Sequence, residues 1–271
     1  MLIGGREFDT ANRCYIMGIL NVTPDSFSDG GKWNTRDSAL RHAENMIMDG
    51  ADIIDVGGES TKPGYKEISE SEEIDRAIQV IEALKTRFDI PVSIDTYKYA
   101  VADAALSAGA DLINDTWGLK RSPEMAELIA INGTVCCLMH NRDNMEYSDF
   151  MSDILGDLNE SLMLAKNSGI PDDKIILDPG IGFAKTYEMN LKAINRLDEI
   201  VALGYPVMLG ASRKSVIGIT LDLPVTQRIE GTLATTVIAV MRGCSFVRVH
   251  DVRESKRAIK MTEAILKCKG E

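Results

Sequence analysis

The chain contains 271 residues, of which 45% are hydrophobic, and its formal net charge at pH 7 is −11. No basic stripe offsets this charge, so nucleic-acid partners are not expected, and an anionic ligand would require cations concentrated at one site. No apolar stretch approaches the roughly 18 residues that span a bilayer, and the start of the sequence does not resemble a signal peptide, so no membrane partner is expected.

Apolar, β-branched runs recur along the chain and predict eight buried strands. They cover residues 14–20, 52–58, 90–96, 111–115, 134–140, 174–180, 205–212 and 245–251. The runs are continuous rather than alternating, which is typical of a parallel sheet buried on both faces. Amphipathic stretches lie between them, for example 71–88 and 187–203, and a last helix is predicted over 252–268.

Eight strand–helix units in a chain of this length favour a (β/α)8 TIM barrel, and no linker divides the sequence. We therefore predict a single domain over residues 1–271, with a doubly wound open sheet as the alternative. Residues 2–9 predict a short N-terminal hairpin that caps the bottom of the barrel.

Polar residues follow almost every predicted strand, at the end where barrel enzymes carry their chemistry. They are Asn21, residues 57–60, Asp95, Asn114, Asp115, His140, Asp178, residues 212–215 and residues 248–251. Any one of them taken alone can be the N-cap of the next helix. Because so many converge at one rim, they predict a binding site.

Among these residues, Asp178 gives the clearest indication of a ligand-binding role. It precedes a Pro-Gly-Ile-Gly-Phe segment, 179–183, so the backbone is expected to turn away and leave the carboxylate facing the barrel mouth. A carboxylate there can accept two parallel hydrogen bonds from the guanidine-like edge of a ligand. Asp95 and Asn114 can bind further ring nitrogens, so the arrangement suits a flat, nitrogen-rich heterocycle.

Cations follow the last two predicted strands, where barrels of this kind commonly bind phosphate. Arg213 and Lys214 are adjacent, and Arg248 and His250 lie two residues apart on one side of the last strand. We predict that Arg248 and His250 bind an anion. Lys214 as a Schiff-base nucleophile is an alternative, but in a polar turn its desolvation and the lowering of its pKa are expected to be small.

Other residues give weaker indications. The five cysteines are odd in number and lack CxxC spacing, which favours reduced core thiols over disulfides or a metal site, and a cytoplasmic protein. His42 is expected at a helix surface, and the role of His140 stays open. The Gly-rich segment 57–64 can cradle phosphate, but no Walker or GxGxxG motif supports a nucleotide site.

Seven motifs together resemble one known family. They are NVTPDSFSDGG (21–31), DVGGESTKPG (55–64), SIDT (93–96), IND (113–115), LDPGIGF (177–183), GASRKS (210–215) and RVHD (248–251). In this order and spacing they resemble the dihydropteroate synthases of folate biosynthesis, over residues 14–251. The resemblance implies a (β/α)8 barrel that joins 6-hydroxymethyl-7,8-dihydropterin diphosphate to p-aminobenzoate and releases pyrophosphate. It also implies a transferase of an alkyl group other than methyl, a homodimer and a target of sulfonamides.

The resemblance also assigns roles to residues. The implied catalytic residues are Asp95, Asp178 and Lys214. In the loop 21–31 either Asp25 or Asp29 is expected to face the cation, and we favour Asp29 as a further catalytic residue. The implied pterin and diphosphate residues are Asp95, Asn114, Met139, Asp178, Gly210, Lys214, Arg248 and His250, with Asn21 contacting a Mg²⁺ cofactor. The p-aminobenzoate pocket would be bordered by Phe27, Thr61, Lys62, Pro63, Phe183 and Ser215. One departure is Lys62, where the family usually has arginine, so any bidentate or stacking role of that arginine is in doubt.

The residue types fit a reaction without a protein nucleophile. Mg²⁺, Arg248 and His250 would stabilise the leaving diphosphate, and the dihydropterin ring would stabilise the methylene cation that remains. Asn21 would belong to the end of the first strand, and the rest of the loop, 22–31, would be a lid hinged at Gly30 and Gly31, with a plain solvated loop as the alternative. Two alternatives stay open: a barrel that transfers a methyl group from methyltetrahydrofolate to a corrinoid protein, and a non-catalytic pterin-binding paralogue.

Overall fold

The fold is given by a computed structural model that describes residues 1–23, 32–59 and 67–268, with the backbone alone for residues 32–35. Within these ranges no helix is both long enough and apolar enough to cross a membrane. All five cysteines are free, and four of them are buried, as predicted, while Cys268 is exposed.

Parallel strands form a closed barrel. In chain order they are β3 (Tyr15–Asn21), β4 (Ile53–Gly57), β5 (Val92–Asp95), β6 (Leu112–Asp115), β7 (Val135–Met139), β8 (Ile175–Asp178), β9 (Met208–Leu209) and β10 (Phe246–Val249). Each strand from β3 to β7 pairs with its successor, and β10 pairs with both β3 and β9. A parallel bridge between Leu177 and Val207 joins β8 to the start of the β9 region and closes the ring. The predicted TIM barrel is therefore confirmed, and the open sheet is wrong.

Helices connect the strands on the outside of the barrel. They are α1 (Lys32–Met48), α2 (Glu70–Arg87), α3 (Tyr99–Ser107), α4 (Pro123–Asn132), α5 (Phe150–Asn167), α6 (Tyr187–Asn195), α7 (Leu197–Val201), α8 (Ser215–Leu221), α9 (Ile229–Met241) and α10 (Val252–Lys267). Helix α2 shows why such segments are helical: Ser69 accepts the Glu72 amide hydrogen at its start, and Lys85 and Arg87 lie in its last turn, near the negative end of the helix dipole.

The single helix predicted over 187–203 is two helices, α6 and α7. The break falls at Arg196, whose φ of −111° and ψ of 30° lie outside the helical range. Apolar side chains continue with helical spacing across it, since Ile194 and Leu197 are both buried. Hydrophobic periodicity therefore could not reveal the break.

The N-terminal hairpin plugs the bottom of the barrel, as predicted. Its strands are β1 (Leu2–Ile3) and β2 (Arg6–Glu7), which pair antiparallel. Ile3 and Phe8 pack inside the barrel in an apolar cluster with residues from the first halves of the strands: Met17, Ile53, Leu112, Val135, Cys137, Ile176, Met208 and Phe246. This apolar cluster closes the end of the barrel opposite to the one where the strands finish.

Truncating the centre of this cluster should destabilise the barrel. Phe246 is fully buried, and its ring centroid lies 5.9 Å from that of Phe8. We expect Phe246→Ala to lower the free energy of unfolding by about 3–5 kcal/mol, because it removes apolar contact and leaves a cavity. Guanidinium unfolding monitored by circular dichroism measures this. Ile131→Ala, at a side chain that is 84% exposed, is the control and should change stability by less than about 0.5 kcal/mol; equal effects would contradict the assignment of the core.

Candidate active site

Arg248 joins two buried carboxylates at the centre of the barrel mouth. Its Nε donates to Asp55 Oδ2 and its Nη2 donates to Asp95 Oδ2, both over 2.6 Å. Asn114 Nδ2 donates to the same Asp55 oxygen over 3.4 Å. Because β4, β5, β6 and β10 supply these side chains, the barrel itself holds the cluster in place.

Burial sets the protonation of this cluster. Desolvation raises the pKa of Asp95 to about 7, against the opposing effect of the Arg248 guanidinium. Burial disfavours the charge on Arg248, but Asp55 and Asp95 more than compensate and raise the pKa of Arg248 above its usual value. The two carboxylates therefore keep Arg248 charged, whereas burial opposes the charge on Asp95.

Two oxygens of the cluster point to a ligand. Among the described residues, Asp55 Oδ1 and Asp95 Oδ1 are buried and have no hydrogen-bond partner. Buried carboxylate oxygens are nearly always hydrogen-bonded, so these two have unused capacity to accept from donors. A ligand with ring N–H groups in the mouth could satisfy them.

Asp178 and Lys214 form the second half of the mouth. Asp178 Oδ1 accepts the Gly180 amide hydrogen over 2.6 Å, and the following turn is left-handed at Gly180, with a φ of 68°. Lys214 Nζ donates to Ile181 O over 2.5 Å. A Cβ added to Gly210 would lie 3.5 Å from Asp178 Oδ2 and 3.9 Å from Lys214 Nζ. The carboxylate and the ammonium group therefore border one small space, which the glycine keeps open.

The expectation of weak desolvation at Lys214 is wrong. Burial lowers the pKa of Lys214 to about 8, although Asp178 acts to raise it. The reason is that the turn after β8 covers this side chain, with Nζ 4.8 Å from the centroid of the Phe183 ring. The pKa of Lys214 therefore gives no argument against a Schiff-base role.

The predicted cations do not form one group. Arg213 follows β9 and has a left-handed φ of 58°. Its guanidinium forms a salt bridge with Asp251, so its charge is compensated there and does not add to that of Lys214. His250 is half-buried just beyond β10, and its Nδ1 lies 3.0 Å from Ser212 Oγ. Arg248 and His250 lie at the end of the same strand, as predicted, but the Arg248 guanidinium contacts carboxylates.

Asn21 ends β3 and faces the carboxylate cluster. A Cβ added to Gly57 would lie 3.2 Å from Asn21 Oδ1 and 3.8 Å from Asp95 Oδ2, so these oxygens border a common gap. In the part of the chain that the structure describes, no group of three or more His, Cys, Asp or Glu side chains could hold a metal ion. Mg²⁺ is commonly bound by one or two protein oxygens together with water and substrate phosphates, which the Asn21 amide oxygen fits.

The other predicted site residues are distributed as follows. Met139 is buried at the end of β7, Phe183 is half-buried in the turn after β8, and Ser215 is exposed at the start of α8. Five predicted residues lie outside the described ranges: Phe27, Asp29, Thr61, Lys62 and Pro63. The lid predicted over 22–31, with its hinge at Gly30 and Gly31, is outside them from residue 24 onward.

Some strand-end residues have structural roles instead. Asp115 accepts the amide hydrogens of Trp117 and Leu119, over 2.8 Å and 2.7 Å, and so shapes the turn after β6. His140 is buried behind the mouth, where its Nε2 lies 2.9 Å from Asp157 Oδ2. His42 does not belong to this group: it lies in helix α1 and is exposed, as predicted.

Sequence reasoning missed Asp55 and Lys185. Asp55 is a carboxylate in the middle of a strand whose residues are all buried, and that placement is a signal because ionised side chains are rarely buried without a partner. Lys185 follows the LDPGIGF motif, and its position gave no indication that the side chain is buried.

Comparisons with known proteins agree with this geometry. A family model described as "Pterin binding enzyme" matches residues 17–250. A dihydropteroate synthase from Clostridium beijerinckii is 61% identical over 98% of this chain and 100% of its own length. A crystal structure of dihydropteroate synthase from Clostridium difficile, in the presence of pteroic acid, has a TM-score of 0.94 and 50% identity over 96% of this chain and 99% of that one. A Yersinia pestis dihydropteroate synthase in a sulfonamide drug complex has a TM-score of 0.92 and 43% identity over 99% of both chains.

The chain therefore belongs to the family of pterin-binding enzymes. Within it, its activity is that of the dihydropteroate synthases, transferases of folate biosynthesis and the targets of sulfonamides. The resemblance seen in the motifs is confirmed, and the Schiff-base, methyltransferase and non-catalytic alternatives are set aside.

The pKa of Lys214 predicts how pterin binding depends on pH. The ammonium group is protonated below about pH 8 and neutral above it, so raising the pH from 7 to 9 removes a charged donor from the mouth. We expect the Kd for the pterin diphosphate to rise about tenfold over that interval if only the protonated form binds. Calorimetric titration at each pH measures it. In Lys214→Arg, which stays charged, the rise should disappear; an unchanged rise would contradict the assignment to Lys214.

Proposed function

We propose that this mouth joins 6-hydroxymethyl-7,8-dihydropterin diphosphate to p-aminobenzoate and gives 7,8-dihydropteroate and pyrophosphate. The observation that carries the proposal is the set of buried acceptors, Asp95 Oδ1 and the Asp178 carboxylate, beside the Lys214 ammonium. The comparison structures support it, because pteroic acid contains both a pterin and a p-aminobenzoate unit.

The mouth suits the edge of a pterin ring. The Asp178 carboxylate keeps acceptor capacity beyond its bond to Gly180, so it can take two parallel N–H bonds from the aminopyrimidine edge. Asp95 and Asn114 can bind the remaining ring nitrogens, and Lys214 can donate to a ring oxygen or nitrogen. The missing side chain at Gly210 leaves room for a flat ring between these groups.

Arg248 and His250 would bind the diphosphate. Two of the five N–H groups of Arg248 bond to Asp55 and Asp95, which orients the guanidinium while other N–H groups can donate to phosphate oxygens. We propose Asn21 as the protein ligand of Mg²⁺. When bound, this ion would neutralise part of the diphosphate charge.

The reaction requires no protein nucleophile. The bond between the pterin methylene carbon and the diphosphate oxygen breaks, pyrophosphate takes the electron pair, and the electron-rich ring stabilises the cation. The neutral amine of p-aminobenzoate then attacks the methylene carbon and releases a proton to water. We assign Phe183 and Ser215, with Phe27, Thr61, Lys62 and Pro63, to the p-aminobenzoate pocket; the last four lie outside the described residues.

Removing either member of the Asp178 and Lys214 pair should slow turnover. We expect Asp178→Asn and Lys214→Ala each to lower turnover at least about tenfold, or about 1.4 kcal/mol in the barrier, because each removes a contact to the pterin ring. The assay mixes purified protein with the pterin diphosphate, p-aminobenzoate and Mg²⁺ and follows pyrophosphate and dihydropteroate.

Two variants at exposed residues serve as matched controls. Asp173→Asn and Lys166→Ala change the same residue types on the surface and should keep the wild-type rate. Near-normal rates in folded Asp178 and Lys214 variants would refute their roles, and no product with the wild-type protein would refute the proposed reaction.

The proposed magnesium site can be tested through Asn21. We expect Asn21→Ala to raise the Mg²⁺ concentration that gives half-maximal activity about tenfold, because one of the few protein oxygens near the ion is lost. A titration of Mg²⁺ after treatment with a chelator measures this. Asn167→Ala, at an exposed amide, is the control; the same Mg²⁺ dependence in both variants would rule out Asn21 as the ligand.

We also propose that the chain forms a homodimer through its barrel helices. Helices α9 and α10 pack against each other and expose Met241, Met261 and Ile265, each about 60% exposed. Analytical ultracentrifugation should give twice the mass of the chain. A combined Met241→Glu and Met261→Glu variant should give a monomer, whereas a monomeric wild type would contradict the proposal.

We place the protein in the cytoplasm, which its free cysteines support because reducing compartments keep thiols unpaired. Cell fractionation with an antibody against the chain tests this location. Recovery in an extracellular fraction would contradict it.

A further inference from the structure

Lys185 is buried behind the active-site mouth and is not one of the residues that would touch substrate. Its Nζ lies 2.8 Å from His140 Nδ1, 3.0 Å from Gly180 O and 3.1 Å from Phe183 O. Three acceptors match the three N–H bonds of an ammonium group. One side chain therefore binds both ends of the turn that separates Asp178 from the start of α6.

This turn requires support because its backbone is unusual. Residues 180, 182 and 184 are left-handed, with φ values of 68°, 86° and 44°, and the last of them is an alanine. A non-glycine residue in that region costs free energy and persists only where the surroundings hold it. The turn also packs closely on β7, since a Cβ added to Gly180 would overlap His140 O.

Burial lowers the pKa of Lys185 to about 7, so its ammonium form depends on the groups that surround it. None of its three acceptors is a carboxylate, but His140 Nε2 lies 2.9 Å from Asp157 Oδ2, and Asp157 is also bound by Arg142. Since Nδ1 accepts from Lys185, the ring proton is on Nε2 and is donated to Asp157. Burial keeps this ring neutral by lowering the pKa of His140 to about 4. A chain of hydrogen bonds therefore runs from Asp157 through His140 to Lys185.

We propose that Lys185 is a positioning residue that sets the turn for both substrates. It holds the Gly180 peptide by its carbonyl while the amide of the same residue donates to Asp178 Oδ1, on the pterin side. It holds the carbonyl of Phe183, whose ring lies against Lys214 and borders the p-aminobenzoate pocket. This inference rests on the roles proposed above for Asp178 and Phe183.

Steady-state kinetics of Lys185→Met tests the proposal. Methionine keeps much of the volume but removes all three N–H bonds, so we expect the KM for p-aminobenzoate to rise at least fivefold in folded protein. A purely structural role would only reduce the fraction of active enzyme, which lowers kcat and leaves KM unchanged. Lys166→Met, at an exposed lysine, is the matched control and should leave both constants unchanged.

Two substitutions at His140 distinguish the loss of the hydrogen bond from Lys185 from a general loss of folding. His140→Asn keeps an acceptor near the position of Nδ1 and should stay within about twofold of the wild-type KM, whereas His140→Leu should reproduce Lys185→Met. These two variants decide the question if Lys185→Met does not fold. Unchanged KM values in Lys185→Met, or equal KM values in the two His140 variants, would overturn the inference. Inactive wild-type protein would instead refute the proposed function, so the two failures are distinguishable.

Discussion

The structure depends on keeping charges ionised where water is largely excluded. Asp55, Asp95 and Asp178 face Arg248 and Lys214 at the ends of the strands, in surroundings of low dielectric constant. An isolated buried charge is costly, and removing one partner of a buried pair typically costs about 3–5 kcal/mol. Three acids face two bases, and burial raises the pKa of Asp95 to about 7 against the attraction of the Arg248 guanidinium.

The rest of the barrel supports this arrangement. The hairpin and the apolar cluster fill the bottom of the barrel, and the charged side chains of the mouth lie at the other end. Gly57 and Gly210 leave gaps beside the charged groups instead of filling them with side chains. The turn after β8 covers Lys214, and Lys185 holds that turn from behind. The mouth is thus a set of paired charges around an open space, which suits a flat ligand that carries its own donors and anion.

Much of the fold could be predicted from the sequence, because each strand is a continuous apolar run and the acids follow directly after it. Asp95, Asn114 and Asp178 could be predicted as site residues because each stands at the end of such a run. The neighbours that set the electrostatics could not be predicted in this way. The covering of Lys214 by residues 181–183 and the pairing of Arg213 with Asp251 are contacts between distant segments. Lys185 shows the same limit, since a lysine after a glycine-rich turn is usually exposed.

The central claim is that Asp178 and Lys214 act as one unit on the pterin ring. A double-mutant cycle measures this directly, with the Kd for the pterin diphosphate determined by calorimetry for Asp178→Asn, Lys214→Ala and the double variant. If the claim is correct, the double variant loses clearly less binding free energy than the sum of the two single losses, because either change alone removes the Coulombic interaction between the two groups. Losses that add within about 0.3 kcal/mol would show independent contacts and would contradict the claim.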